Sequence, residues 1–66
     1  VNVVVNDQSQ ELPDGATVAE LLESLGLNDR PVAVEVNTKL VTKAQHTLCT
    51  LAEGDRVEIV TLVGGG

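Results

Sequence analysis

The residues with the most chemical potential stand at the end of the chain. Val63 is followed there by Gly64, Gly65 and Gly66, three of the six glycines in the sequence. Glycine is costly to order and has no side chain to pack, so a terminal cluster adds nothing to a fold. A frayed end is the bland reading of such a run. What the run does supply is reach without bulk: three extended residues span roughly 10 Å, and without Cβ atoms they can thread a narrow channel in another protein. The group so delivered is the α-carboxylate of Gly66, an anion at neutral pH and a poor electrophile. Turning it into an acyl donor requires a mixed anhydride, most economically an acyl-adenylate made from ATP. The sequence has no phosphate-cradling loop, basic cluster or metal-ligand set, so that step is expected to fall to a partner enzyme.

Other reactive side chains make weaker cases. Cys49 lies between Leu48 and Thr50 with Leu51 beside it, and His46 is the nearest cationic candidate. A reactive thiolate needs a cation or a helix N-terminus, so Cys49 reads as a small apolar residue. A single cysteine forms no internal disulfide and frames no metal site. His46 has no second ligand at metal spacing and reads as a loop residue. Glu20 with Glu23 and Asp55 with Glu58 fit a solvated helix face and a charged turn better than an acid–base pair.

Elements that could position the tail follow from the hydropathy pattern. Residues 1–6 are rich in valine, and alternation puts Val1, Val3 and Val5 on one face of a strand. Asn6-Asp7-Gln8 has turn chemistry, and residues 9–12 return as a short second strand before Pro13-Asp14-Gly15. Thr17 with Glu20 has capping-box spacing. Val18, Leu21, Leu22 and Leu25 then follow at i, i+3, i+4 and i+7, predicting a helix of about ten residues with one apolar stripe. Gly26 ends it in the left-handed region. Residues 32–36 alternate with Val32, Val34 and Val36 inward, Asn37-Thr38-Lys39 turns, and Leu40-Val41 pairs back. Residues 42–47 are polar and irregular, residues 48–51 are a brief apolar element, and Glu53-Gly54-Asp55 leads into a last strand over residues 56–63.

This order predicts a two-layer α+β domain over residues 1–63, with one main helix on one face of a mixed sheet and a Gly tail at residues 64–66. The succession is similar to that of the ubiquitin-like β-grasp, in which the first and last strands lie adjacent and parallel in the middle. If Val57, Ile59 and Thr61 of the last strand face the helix, Val60 and Leu62 face the open side, joined there by Val4. Such a partly exposed aliphatic patch is expected to be a docking face. For Ala33, which shares that side, ordinary exposure suffices as a reading.

Composition narrows the functions. The 66 residues contain no Phe, Trp, Tyr or Met and carry a formal charge of −6. Base-stacking platforms are missing and phosphate backbones are repelled, which argues against nucleic acid. No apolar run approaches the roughly 20 residues of a membrane span. Residues 1–6 lack the basic region of a secretory signal, and a cytoplasmic location without a membrane partner is expected. Ten acidic against four basic residues favour a partner surface rich in Lys and Arg, which would speed encounter more than strengthen binding.

The sequence resembles the ThiS-type sulfur carriers of thiamin thiazole synthesis. The resemblance runs along the whole chain: Val5-Asn6-Asp7-Gln8, Thr17-Val18 with Glu20-Leu21-Leu22, Val32-Ala33-Val34 with Asn37, Glu53-Gly54-Asp55, Val57-Glu58-Ile59-Val60 and Val63-Gly64-Gly65-Gly66. It implies a carrier acted on by enzymes rather than an enzyme itself, with no bound cofactor. A ubiquitin-activating-type adenylyltransferase would use ATP and magnesium to adenylate Gly66, with Gly64 and Gly65 as the flexible arm. A cysteine desulfurase or other persulfide donor would supply the sulfur that makes the thiocarboxylate, and thiazole synthase would accept it. A carrier for molybdopterin or another pathway, or a ubiquitin-like modifier joined to lysines through Gly66, has the same activation step and is the alternative.

Overall fold

The computed structural model describes residues 1–62. The elements run β1 (Asn2–Val5), β2 (Gln8–Glu11), α1 (Val18–Ser24), β3 (Val32–Val36), β4 (Lys39–Val41), one turn of 3-10 helix (Lys43–Gln45) and β5 (Arg56–Thr61). The five strands form one sheet in the order β2-β1-β5-β3-β4. β1 and β5 are parallel, and the β1–β2, β3–β4 and β3–β5 pairs are antiparallel. This is the mixed α+β sheet with first and last strands paired centrally that the element order predicts. No helix of the described residues is long and apolar enough to cross a membrane.

Alternation decides which face is buried. Val3 and Val5 of β1, Val34 and Val36 of β3, Val41 of β4 and Val57 and Ile59 of β5 all point into the core. There they meet Val18, Leu21 and Leu22 of α1. Each of these helix side chains contributes about 2 kcal/mol by leaving water, which a seven-residue helix needs, being too short to hold its own backbone bonds.

The ends of α1 are closed by specific bonds. Thr17 and Glu20 make the expected capping box: the Thr17 N–H donates to Glu20 Oε1 at 3.0 Å and the Glu20 N–H donates to Thr17 Oγ1 at 3.2 Å. At the other end Gly26 has φ +73°. The Gly26 N–H donates to the Glu23 carbonyl and the Leu27 N–H to the Leu22 carbonyl, at 3.0 and 2.8 Å. This Schellman pattern stops the helix at Ser24, three residues short of the expected length. Leu25 is consequently the C-cap and is 37% exposed. Leu27, past the reversal, packs against the core instead.

Two further positions lie at the margin of the core. Thr61 has the inward parity expected of it but is exposed at the end of β5. Residues 48–51 form no strand; Thr50 makes an isolated bridge to Thr17, Leu51 is buried, and Leu48 is 78% exposed.

Both hairpin turns place two consecutive non-glycine residues at positive φ: Asn6 and Asp7 at +47° and +68°, Asn37 and Thr38 at +51° and +70°. Positive φ at both central positions is the requirement of a type I′ turn, whose twist matches that of the strands it joins. The two asparagines also reach across to β5. Asn6 Oδ1 accepts from the Ile59 N–H at 2.8 Å and Asn6 Nδ2 donates to the Ile59 carbonyl at 3.0 Å. The carboxamide thus acts as one more peptide unit of β1 after the backbone has turned away. Asn37 Oδ1 accepts from the Arg56 N–H at 2.9 Å, and Asn37 Nδ2 donates to Asp55 Oδ1 at 2.9 Å.

Asn6→Ala should lose both bonds, about 1 kcal/mol each, and add the steric cost of alanine at positive φ, about 1 kcal/mol. Asn6→Gly should lose the bonds alone and sit between wild type and alanine in urea unfolding. If Asn6→Ala matches wild type, the carboxamide has no part in holding β5. Thr38 is the poorly suited member of its turn, being β-branched at positive φ. Thr38→Gly should raise the urea midpoint at unchanged slope by the equivalent of about 0.5–1 kcal/mol.

Candidate functional site

The site begins where β5 ends. β5 lies third of five in the sheet, bonded to β1 on one side and β3 on the other. Pairing with β3 continues to Val32↔Thr61, and the Leu62 N–H adds a bond to the Pro31 carbonyl at 2.8 Å. The chain is therefore fixed up to Leu62, one residue before Val63. Val63 as the domain boundary, Gly64 and Gly65 as the arm, and Gly66 as the reactive end all lie outside the described residues.

The open face of the sheet carries the aliphatic residues expected to dock. Val60 is 58% exposed there, with half-buried Ala33 as its cross-strand neighbour, whereas Leu62, 50% exposed, lies one residue past β5 and also lines a groove with Leu22 and Leu27 on the helix side. Val4 is half-buried on the same side, but its register partner is Arg56. That places it four residues along β5 from Val60, roughly 13 Å at strand spacing. The patch at the root of the tail is thus Ala33, Val60 and Leu62, with Val4 at the far end and the charged Arg56 and Glu58 between. Glu58 stands directly opposite Glu35 across the β3–β5 ladder, and both are exposed. Like charges so placed oppose the pairing, and a cation arriving on this face relieves them.

The remaining candidate side chains have structural employment. Cys49 is half-buried against the core, and its carbonyl accepts from the Val18 N–H at 3.0 Å. His46 is half-buried, and its carbonyl accepts from the Ala19 N–H at 2.9 Å. Together with Thr17 Oγ1 on the Glu20 N–H, these carbonyls occupy the donors of the first turn of α1, so the helix start offers no bare donors to an anion. Residues 42–49 are therefore a cap for α1. Asp55 binds Asn37 Nδ2 through one oxygen and the Ala52 N–H, at 2.8 Å, through the other. Glu20 is held in the capping box, while Glu23 and Glu58 are exposed. Among the described residues no three His, Cys, Asp or Glu side chains gather as a metal site would need.

Asn6 and Asn37 are the residues whose importance sequence reasoning underestimates. Turn chemistry marks both positions, but their partners lie 53 and 19 residues away, and no local pattern shows such a bond. What they secure is the strand from which the tail departs.

Comparison with known proteins gives this arrangement its context. The sulfur carrier protein ThiS of Escherichia coli is 29% identical over 66 residues, covering all of both chains. The crystal structure of a thiamine biosynthesis protein (ThiS) from Geobacter metallireducens superposes with a TM-score of 0.83 at 29% identity, again over the whole of both chains. A thiazole synthase of Paramagnetospirillum magneticum is 36% identical over the 66 residues, and one of Magnetococcus marinus is 32% identical. The chain spans only 20% of the length of either synthase. A profile of the ThiS family matches residues 2–66, through the described fold and the glycines beyond it, and the chain belongs to that family.

Proposed function

We propose that the chain is a sulfur carrier of thiamine biosynthesis, working in the cytoplasm, with the Gly66 carboxylate as its acceptor and donor group. The family match through residue 66 carries this reading. A ubiquitin-activating-type enzyme, using ATP and magnesium, would join the Gly66 carboxylate to AMP and release pyrophosphate. The outer sulfur of a cysteine persulfide would then attack the acyl carbon, and AMP would leave with its bonding electrons. A second thiol would reduce the resulting acyl disulfide, giving the thiocarboxylate and a disulfide.

The chain's own part is mechanical. β5 is held by β1 and Asn6 as far as Ile59 and by β3 and Pro31 as far as Leu62, so the four following residues start from a base that is bonded along one edge. They can extend roughly 13 Å from it, enough to bring Gly66 into a partner's site while the domain stays outside. Ala33, Val60 and Leu62 surround that base and would lie against the partner. The opposed Glu35 and Glu58 favour a partner surface that presents Lys or Arg. Thiazole synthase as the recipient is supported by the two synthases whose own chains contain a region like this one.

The decisive test is the intact mass of the chain after co-expression with its own organism's activating enzyme and persulfide donor. One oxygen should be replaced by sulfur at the C-terminal peptide, and deletion of Gly66 should abolish the change. Cys49→Ser should retain it; loss in that variant would move the sulfur from the terminus to the thiol. Ladders of adducts on other proteins would instead identify a modifier.

Leu62→Asp probes the docking face. An exposed substitution of this kind should change unfolding free energy by no more than about 0.5 kcal/mol. Calorimetric affinity for the activating enzyme should fall by about tenfold or more, as expected when a charge replaces an aliphatic contact at an interface. Unchanged affinity would remove Leu62 from the docking surface.

A further inference from the structure

The charge of this molecule is not evenly spread. Of its four Lys and Arg side chains, Arg56 pairs with Asp7 at 3.1 Å, and Lys39 opens β4 at the hairpin turn. The other two, Arg30 and Lys43, come together with His46 around one groove of about 540 Å³. Leu22, Leu27, Pro31, Val32 and Leu62 supply its apolar lining, and Asp29 is its single carboxylate. Neither Arg30 nor Lys43 forms an ion pair with a carboxylate of the described residues. In a chain where acids outnumber bases ten to four, two cations against one acid is a local reversal of sign. It occurs beside Leu62, the residue from which the tail departs.

We infer that this groove docks an acidic segment of the activating enzyme that receives the tail: a loop presenting Asp or Glu to Arg30 and Lys43 and an aliphatic side chain to Leu27 and Leu62. The inference rests on the carrier reading above and adds a second contact to it, opposite in sign to the Glu35–Glu58 face. A nucleotide fits the groove poorly. No aromatic side chain is present to stack a base, and the first-turn donors of α1 that could hold a phosphate are already bonded. The chain's own terminus is also a poor occupant, because ordering three glycines costs more than two exposed ion pairs return. A partner's folded loop has lost most of that freedom beforehand.

The measurement is ATP–pyrophosphate exchange catalysed by the activating enzyme of the same organism, with the full chain as the varied substrate. Arg30→Gln combined with Lys43→Gln removes two positive charges from the groove. Lys39→Glu changes net charge by the same amount outside it. The double variant should raise KM about tenfold with kcat unchanged, and the difference should shrink as salt is added; Lys39→Glu should stay within about twofold of wild type. Equal KM values for wild type and the double variant, or equal effects of the two charge changes, would overturn the groove while leaving the carrier reading intact. Absence of exchange with the wild-type chain would overturn both.

Discussion

The parallel pairing of β1 with β5 is the interaction on which the rest of this structure depends. Parallel neighbours cannot be joined by a tight turn, and here the helix and the β3–β4 hairpin lie between the two strands in sequence. Only a short ladder holds them: Val4 with Arg56 and Val5 with Val57. It is lengthened by the Val4 N–H on the Asp55 carbonyl and the Asn6 N–H on the Val57 carbonyl, both at 2.9 Å. The Asn6 carboxamide on Ile59 carries it further. On the other flank Asn37 takes hold of Arg56, where β5 begins. Each hairpin therefore spends its turn residue twice, once on its own reversal and once on the central strand.

A core without aromatic rings makes that bonding more important. Its largest fully buried side chains are Leu21, Val3, Val18, Val34 and Val57, each contributing about 1.5–3 kcal/mol on burial. Branched aliphatics have few rotamers to lose on burial between one short helix and a sheet. Such a core supports a platform for the strands that meet on it. β5 runs from the middle of that platform to Leu62, the last described residue before the glycines.

Much of this was legible in the residues. Valine alternation identified β1 and β3, Thr17 with Glu20 marked the helix start, and Gly26 marked its stop. These are local effects, set by neighbours within a few positions, and so they are visible in a linear string. Leu25 shows where such reasoning fails. Its i+7 spacing matches the stripe, but the Schellman bonds of Gly26 and Leu27 end the helix beneath it, and Leu27 takes the place in the core. Val4 fails differently: its face was readable from parity, whereas its distance from Val60 depends on the β1–β5 register, which strand pairing alone decides. The carbonyls of His46 and Cys49 capping α1 belong with these, because nothing in a polar stretch reveals which distant donors it satisfies.

Charge placement links the platform to the chemistry proposed for its end. A thin tail can enter a channel in many rotational settings of the domain behind it, and an aliphatic patch alone tolerates several of them. The base of this tail has an acidic pair, Glu35 and Glu58, on the open face of the sheet and Arg30 with Lys43 in the groove that Leu62 lines. A partner bearing cations toward the first and acids toward the second meets both only in one orientation, since rotation brings like charges together and opposes binding. A domain fixed in that way would hold the start of the tail, at Leu62, in one place relative to the partner, which is the positional gain that a proposed carrier of a terminal group would need.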